Sequence, residues 1–285
     1  MRCLLAITGV FVGLLTNSIA NARDIHVDNL LGNDMNNGAF SELIDARSGP
    51  IRTLRRAIDL ANFGDQVILT RPGAVYYDSL SLTGTRHSGT RMRPFTLIGN
   101  GATLSGMRTL PPQGWHRAGQ DLWKLTFTRK GYYQLHRDGR TLPELRHEAG
   151  NNPLDSLAAG HWTAWQGSVY FRADGESPET QTFTYAAEQT GLSLYQVENV
   201  RIVDLTLRDF RFDGLRAQNM CRNVTLENVN CIANGRAGFA ITGSSDVEII
   251  GGKTSENGRN QMLISKVSSV EIHNLAMDGE PTIVP

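Results

Sequence analysis

Cysteine, aromatic residues and unbalanced charge are all scarce in this chain. Three cysteines occur in 285 residues, aromatics make up 7%, and 28 Lys and Arg stand against 28 Asp and Glu. A net charge of zero supplies no global field to recruit nucleic acid or membrane lipid. Without a CxxC pair or a His/Cys cluster, nothing supports a structural zinc. G-x-S-x-G is absent too, and the seven histidines form no Ser/His/Asp grouping, so no nucleophile constellation is legible. Proline is sparse, at ten, while glycine reaches 29, a balance typical of turn-rich β proteins.

The start of the chain lacks the length for a membrane span. Arg2 is followed by an apolar stretch from Cys3 to Leu15, shorter than the ~20 residues a span needs. Ala20-Asn21-Ala22 then offers a small-x-small cleavage site. Residues 1–22 therefore read as a signal peptide, giving a secreted or periplasmic protein with no membrane contact after cleavage. Cys221 and Cys231 remain. An oxidising compartment permits a disulfide between them, but the register below points Cys231 inward and sets Cys221 in a turn. Two free, mostly buried thiols are expected.

What the sequence does have is a repeat. Val200, Val224, Val247 and Val270 open VRIVDLTL, VTLENVNC, VEIIGGKT and VEIHNLAM, at steps of 23 to 24 residues. LSLY at Leu192, LRAQ at Leu215, FAIT at Phe239 and MLIS at Met262 keep the same period. Alternate residues of a strand share a face. One inward pair of rows is thus Leu192, Leu215, Phe239, Met262 with Leu194, Ala217, Ile241, Ile264. A second runs through the four valines with Ile202, Leu226, Ile249 and Ile272. The third is Leu205, Val229, Gly252, Leu275 with Leu207, Cys231, Thr254, Met277. Three short strands per coil, stacked about 4.8 Å apart, account for the pattern. Asp204, Asn228, Gly251 and Asn274 mark a turn that needs a left-handed residue, and stacked asparagines there are expected to bond along the axis.

With these rows the chain resembles the pectin-lyase-like superfamily. The resemblance implies an all-β fold: a right-handed parallel β-helix, about 23–24 residues per coil, with an N-terminal capping helix and an antiparallel β insertion. The helix is expected in Pro50-IRTLRRAIDLAN, with Ile51, Leu54, Ile58 and Ala61 on its apolar face. GDQVILT and FTLIGNGATLSG read as early coils. Two hairpins, at Asp138-Gly139 and Gln166-Gly167, interrupt the rhythm. The organisation expected is a leader over 1–22, a cap and first coils over 23–106, the insertion over 107–190 and regular coils over 191–285. No cap is visible after Asp278-Gly279-Glu280, which leaves room for a partner or a further segment at that end.

In this superfamily substrate lies along the outer face of the first strand row. Here those positions are Ser193, Arg216, Ala240, Leu263 and Tyr195, Gln218, Thr242, Ser265. The several acids of its calcium-dependent lyases and the paired Asp of its glycosidases are both missing there. The loops before the row carry Arg211, Arg236 and Arg259, about one coil apart. Arginine forks bind carboxylate or sulfate, or else pair with Asp209, Asp213 and Glu256 as ordinary turn chemistry. Arg211, Asp213, Glu148 and His147 are the catalytic candidates, with a carboxylate or imidazole moving the proton. Arg216, Arg236, Arg259, Asn257 and Tyr195 are the substrate-binding candidates. No cofactor is expected. Calcium is a possibility only in the oxygen-rich run Asp28–Gly38, which lacks the EF-hand spacing and reads first as a plain turn. Two functions follow: a lyase or glycosidase acting on an anionic polysaccharide, or a non-catalytic β-helix that binds glycan or builds a surface structure.

Overall fold

The computed structural model describes residues 22–148 and 150–285, so the leader, apart from Ala22, lies outside the described residues. The apolar alternation builds two parallel sheets that wrap one core. In sheet I the rungs run Asp24–Val27, Gln66–Leu69, Phe95–Ser105, Glu198–Arg208, Arg222–Glu227, Asp246–Ile250 and Ser269–His273. In sheet II they run Leu80–Thr83, Leu192–Tyr195, Asp213–Gln218, Ala237–Ile241, Asn260–Ser265 and Thr282–Val284. Val200, Val224, Val247 and Val270 are directly paired, as are Leu192, Leu215, Phe239 and Met262. The coil period read from the sequence is therefore the rise of one rung.

Burial follows the rows. Leu192, Leu215, Phe239, Met262, Ile202, Leu226, Ile249, Leu207, Cys231 and Thr254 have no exposed surface. Ile272, in the last rung of sheet I, is 38% exposed because no further described coil covers it. Cys221 and Cys231 are both buried and free. Loss of hydration pushes the Cys231 thiol well above its ordinary range, so it behaves as a small apolar residue.

Sheet I bends where the turn row stands. Asn100, Asp204, Asn228 and Asn274 have φ of 50°, 49°, 50° and 56°, and Gly251 has 67°. The left-handed reading holds, but the axial amide bonds do not form there. Asn228 and Asn274 are exposed, their side chains turned to solvent. The ladder stands at the opposite corner. There the left-handed residues are Asp209, Ala233 and Glu256 (φ 59°, 54° and 59°), and the residue after each turns inward: Phe210, Asn234 and Asn257, all buried. Asn234 Nδ2 donates to Asn257 Oδ1 at 3.0 Å, and Phe210 N donates to Asn234 Oδ1 at 3.1 Å. A second asparagine contact joins Asn223 Nδ2 to Asn199 Oδ1 at 2.6 Å.

The helix is Leu54–Leu60, shorter than the apolar face suggested. Ile51 is fully buried but pairs with Val27 ahead of it. Thr53 caps the helix by accepting from Arg56 N, and Asp34 in turn accepts from Thr53 Oγ1 at 2.9 Å. Leu54, Ala57 and Ile58 face the core, leaving Arg55 and Asp59 outside. Asp28, at the head of the oxygen-rich run, accepts from Leu30 N, Leu31 N and Arg71. Burial works to raise its pKa, but these donors outweigh it and hold the carboxyl below the usual range.

Residues 107–186 form two antiparallel sheets around a separate core of Trp115, Trp123, Leu125, Leu135, Trp162, Phe171 and Phe183. Both hairpins turn as the sequence indicated, with positive φ at Asp138-Gly139 and Gln166-Gly167. The unit folds back over the coils. Tyr132 meets Phe212 edge to face at 4.9 Å, and a Cβ on Gly235 would stand 2.6 Å from the Tyr132 carbonyl oxygen. Its stem is closed where Gly106 O accepts from Ala187 N at 2.9 Å and Glu188 N at 3.1 Å.

Candidate functional site

Strand alternation sends Ser81, Ser193 and Arg216 to the outer face of sheet II, stacked in register. The helix Leu54–Leu60 flanks these rungs, and the Gln189–Thr190 segment enters beside them. Together Arg55, Asp59, Ser79, Ser81, Gln189, Thr190, Ser193, Arg216 and Gln218 line an open groove of about 510 Å³. Arg216 Nε is buried in it without a hydrogen-bond partner. A buried unpartnered donor is costly, and a ligand oxygen would satisfy it.

Asp78 precedes the groove residue Ser79 and is half-buried. Desolvation raises its pKa, Arg55 and Arg108 oppose the shift, and the negative charge of Glu188 reinforces it. Glu188 is itself paired with Arg108 at 2.9 Å. Burial thus drives the Asp78 carboxyl towards the protonated form, and the Arg108 cation stands beside the Glu188 carboxylate.

The residues singled out in the sequence scatter. Asp213 is fully buried, and the Arg236 guanidinium closes it with a 2.8 Å bond from Nε to Oδ1 and a second from Nη2 to Oδ2. That contact raises the Arg236 pKa and leaves Asp213 no path to a substrate. Arg211 donates to Lys130 O at 2.7 Å across the seam. Only Arg259 of the three loop arginines is exposed. It lines a cavity of about 270 Å³ with Glu144, Arg146, Glu256 and Tyr133. The three arginines, 25 and 23 residues apart, therefore form no free basic ladder: Arg236 holds a buried carboxylate, and one nitrogen of the buried Arg211 donates to backbone carbonyls.

Asn257 belongs to the buried ladder: its amide donates to Cys231 O and Gln261 Oε1 and faces no solvent groove. His147 bonds two carbonyl oxygens, Ala164 O and Glu148 O, each at 2.9 Å. These contacts raise its pKa and engage both ring nitrogens with carbonyl oxygens rather than with the exposed Glu148 carboxylate. Tyr195 is 38% exposed on the outer face of sheet II. Arg216 alone of the nine candidates lines the groove. Among the described residues, Glu248, Glu271 and His273 bring potential metal-ligand atoms within 4.8 Å of one another, on the outer face of sheet I.

Arg55, Asp59, Asp78 and Glu188 were not picked out from sequence. Parity marks Ser81 as outward in SLSLT, but only the pairing of Leu80 with Leu192, across the insertion, sets that rung beside Ser193.

A family model described as "Right handed beta helix region" matches residues 190–281. No curated protein matches the chain. Among solved structures, the complex of XylC with xylose aligns at TM-score 0.53 and 10% identity, covering 88% of this chain and 58% of that one. A glycoside hydrolase aligns at TM-score 0.55 and 12% identity, covering 88% and 67%. This chain thus spans a little over half the length of the first and two thirds of the second. At such identities the likeness is one of fold, and the register, the turn rows and the matched coils agree on it: the chain is a right-handed parallel β-helix of the pectin-lyase-like fold.

Proposed function

We propose that the protein is an exported carbohydrate-active enzyme that hydrolyses a polysaccharide lying in the groove on the outer face of sheet II. One observation carries this reading: the open polar groove of about 510 Å³, with Arg216 Nε unpartnered on its floor. The groove is open to solvent, and its serines, Gln218 and Arg216 suit sugar hydroxyls. Arg55 and Arg216 outnumber Asp59 there, which favours a glycan bearing some negative charge. Export is supported by the signal-like residues 1–22, and no helix among the described residues is long and apolar enough to cross a membrane. The fold shared with a glycoside hydrolase and with XylC, solved in complex with xylose, is consistent with this substrate class.

In this reading Asp78, held towards the protonated form, gives its proton to the glycosidic oxygen as that bond breaks. Glu188, beside Arg108, takes a proton from the water that attacks the anomeric carbon. The rate should fall as pH rises through the elevated Asp78 pKa, because the acid is then lost. A second reading, glycan binding without turnover, is favoured by the absence of any carboxylate at the outward positions Ser193, Arg216, Ala240 and Leu263. Reducing-end release and ultraviolet absorbance of unsaturated products, measured on a polysaccharide panel, separate the readings. Hydrolysis predicts new reducing ends without absorbance, lost in Asp78→Asn and Glu188→Gln while affinity electrophoresis still shows binding. Retardation with no product on any glycan would establish the binder, and no retardation would refute the groove.

A further inference from the structure

Behind Glu188, at the seam between the insertion and the coils, lies a second cavity of about 250 Å³. One wall is aromatic. Phe127 stacks between Tyr133 and Tyr185, with ring centroids 5.2 Å and 4.6 Å apart, and all three rings are half-buried. The other wall is cationic, formed by Arg108, Arg129 and Arg211, with Glu188 the one carboxylate among the lining residues. Arg108 is paired with that carboxylate. Arg211 is only 6% exposed; one guanidinium nitrogen meets backbone carbonyls, and its Nε has no partner. Burial lowers the Arg211 pKa, and the like charge of Arg129 lowers it further. Two cations that repel across a half-buried cavity are relieved by an anion between them, and an arginine fork matches a carboxylate.

We propose that this cavity binds a six-membered ring carrying a carboxylate, its apolar side against the aromatic wall of Tyr133, Phe127 and Tyr185 and its carboxylate on Arg211 and Arg129. The volume suits one ring of monosaccharide size. Aromatic faces take the C–H face of a sugar or the π face of an arene, so an acidic sugar and an aryl carboxylate present the same chemistry here. The inference goes beyond the groove reading, because it is tested by binding alone and is silent about hydrolysis.

The test is isothermal titration of the full chain with glucuronate, benzoate and glucose, at low and high salt. At least one carboxylate should bind about tenfold more tightly than glucose and weaken as salt rises. Benzoate binding alone would assign an arene pocket, and glucuronate binding alone an acidic-sugar pocket. Arg129→Ala, an exposed change, should weaken binding several-fold without altering the thermal midpoint. Arg211→Lys keeps the charge but loses the fork, and should weaken it further. Carboxylates binding no better than glucose, or an affinity unchanged in Arg129→Ala and in folded Arg211→Lys, would overturn the proposal.

Discussion

Asn257 Oδ1 accepts from Asn234 twice, from the backbone N–H at 2.9 Å and from the side-chain amide at 3.0 Å, one coil apart and out of reach of water. Asn257→Ala leaves several buried polar groups unpaired and should destabilise by roughly 2–4 kcal/mol. Asn228→Gly is the control, since its side chain is exposed and glycine accepts the left-handed turn. Denaturant unfolding of the two variants should separate them by more than about 1.5 kcal/mol. Equal losses would place the ladder wrongly.

Leu226 is fully buried between Ile202 and Ile249, while Thr225 beside it faces out. Leu226→Asp puts an unpaired carboxylate into the core and should abolish cooperative folding of the coils. Thr225→Asn should move stability by less than about 1 kcal/mol. Circular dichroism melts of both variants report the difference.

The Arg236–Asp213 pair ties one coil to the next through a buried carboxylate. Removing only the arginine strands that charge, so Arg236→Ala should cost about 3–5 kcal/mol. Adding Asp213→Asn removes the stranded charge and should recover much of the loss. A double-mutant cycle with no coupling would show that the pair does not hold the coils together.

His87 Nδ1 accepts from Thr83 N at 3.0 Å while Nε2 faces Ile58 O at 3.1 Å, an arrangement that fits the neutral ring. Burial lowers its pKa against the smaller upward pull of the Ile58 carbonyl. A depressed histidine gives stability that is full above its unfolded pKa of 6.5 and is lost as pH falls below it. His136, lowered by burial in the same way, adds to that trend. The thermal midpoint should therefore drop from pH 7.5 to pH 5, and His87→Gln, which can keep both bonds, should flatten the slope. An unaltered slope would remove His87 from the account.

The coil register was legible because each strand alternates and the period repeats, so one strand fixes the next. Val200 and Val224 announce their pairing by spacing alone. The corner that carries the asparagine ladder was not legible. Asn228 and Asn234 are the same residue type six positions apart, and only the backbone path decides which side chain turns inward. The loop arginines misled for a related reason. A spacing of about one coil suggests that Arg211 and Arg236 align, but the pairing of Asp213 with Ala237 sets Arg236 level with Phe212, and spacing cannot show that Asp213 holds Arg236 or that Lys130 O accepts from Arg211. Asp78 and Glu188 were invisible because the rung Leu80–Thr83 meets Leu192–Tyr195 across the whole insertion.

That long-range pairing has a consequence for how the chain comes together. Phe95–Ser105 and Glu198–Arg208 are neighbouring rungs, yet residues 107–186 lie between them in sequence. Closing so long a loop is entropically unfavourable and slow for a chain that must find both ends unaided. The insertion has its own core, and the Gly106 bonds to Ala187 and Glu188 bring its two ends together. Once folded, it delivers the second rung to the first as a short hairpin would, so its assembly should precede and speed the docking of the C-terminal coils.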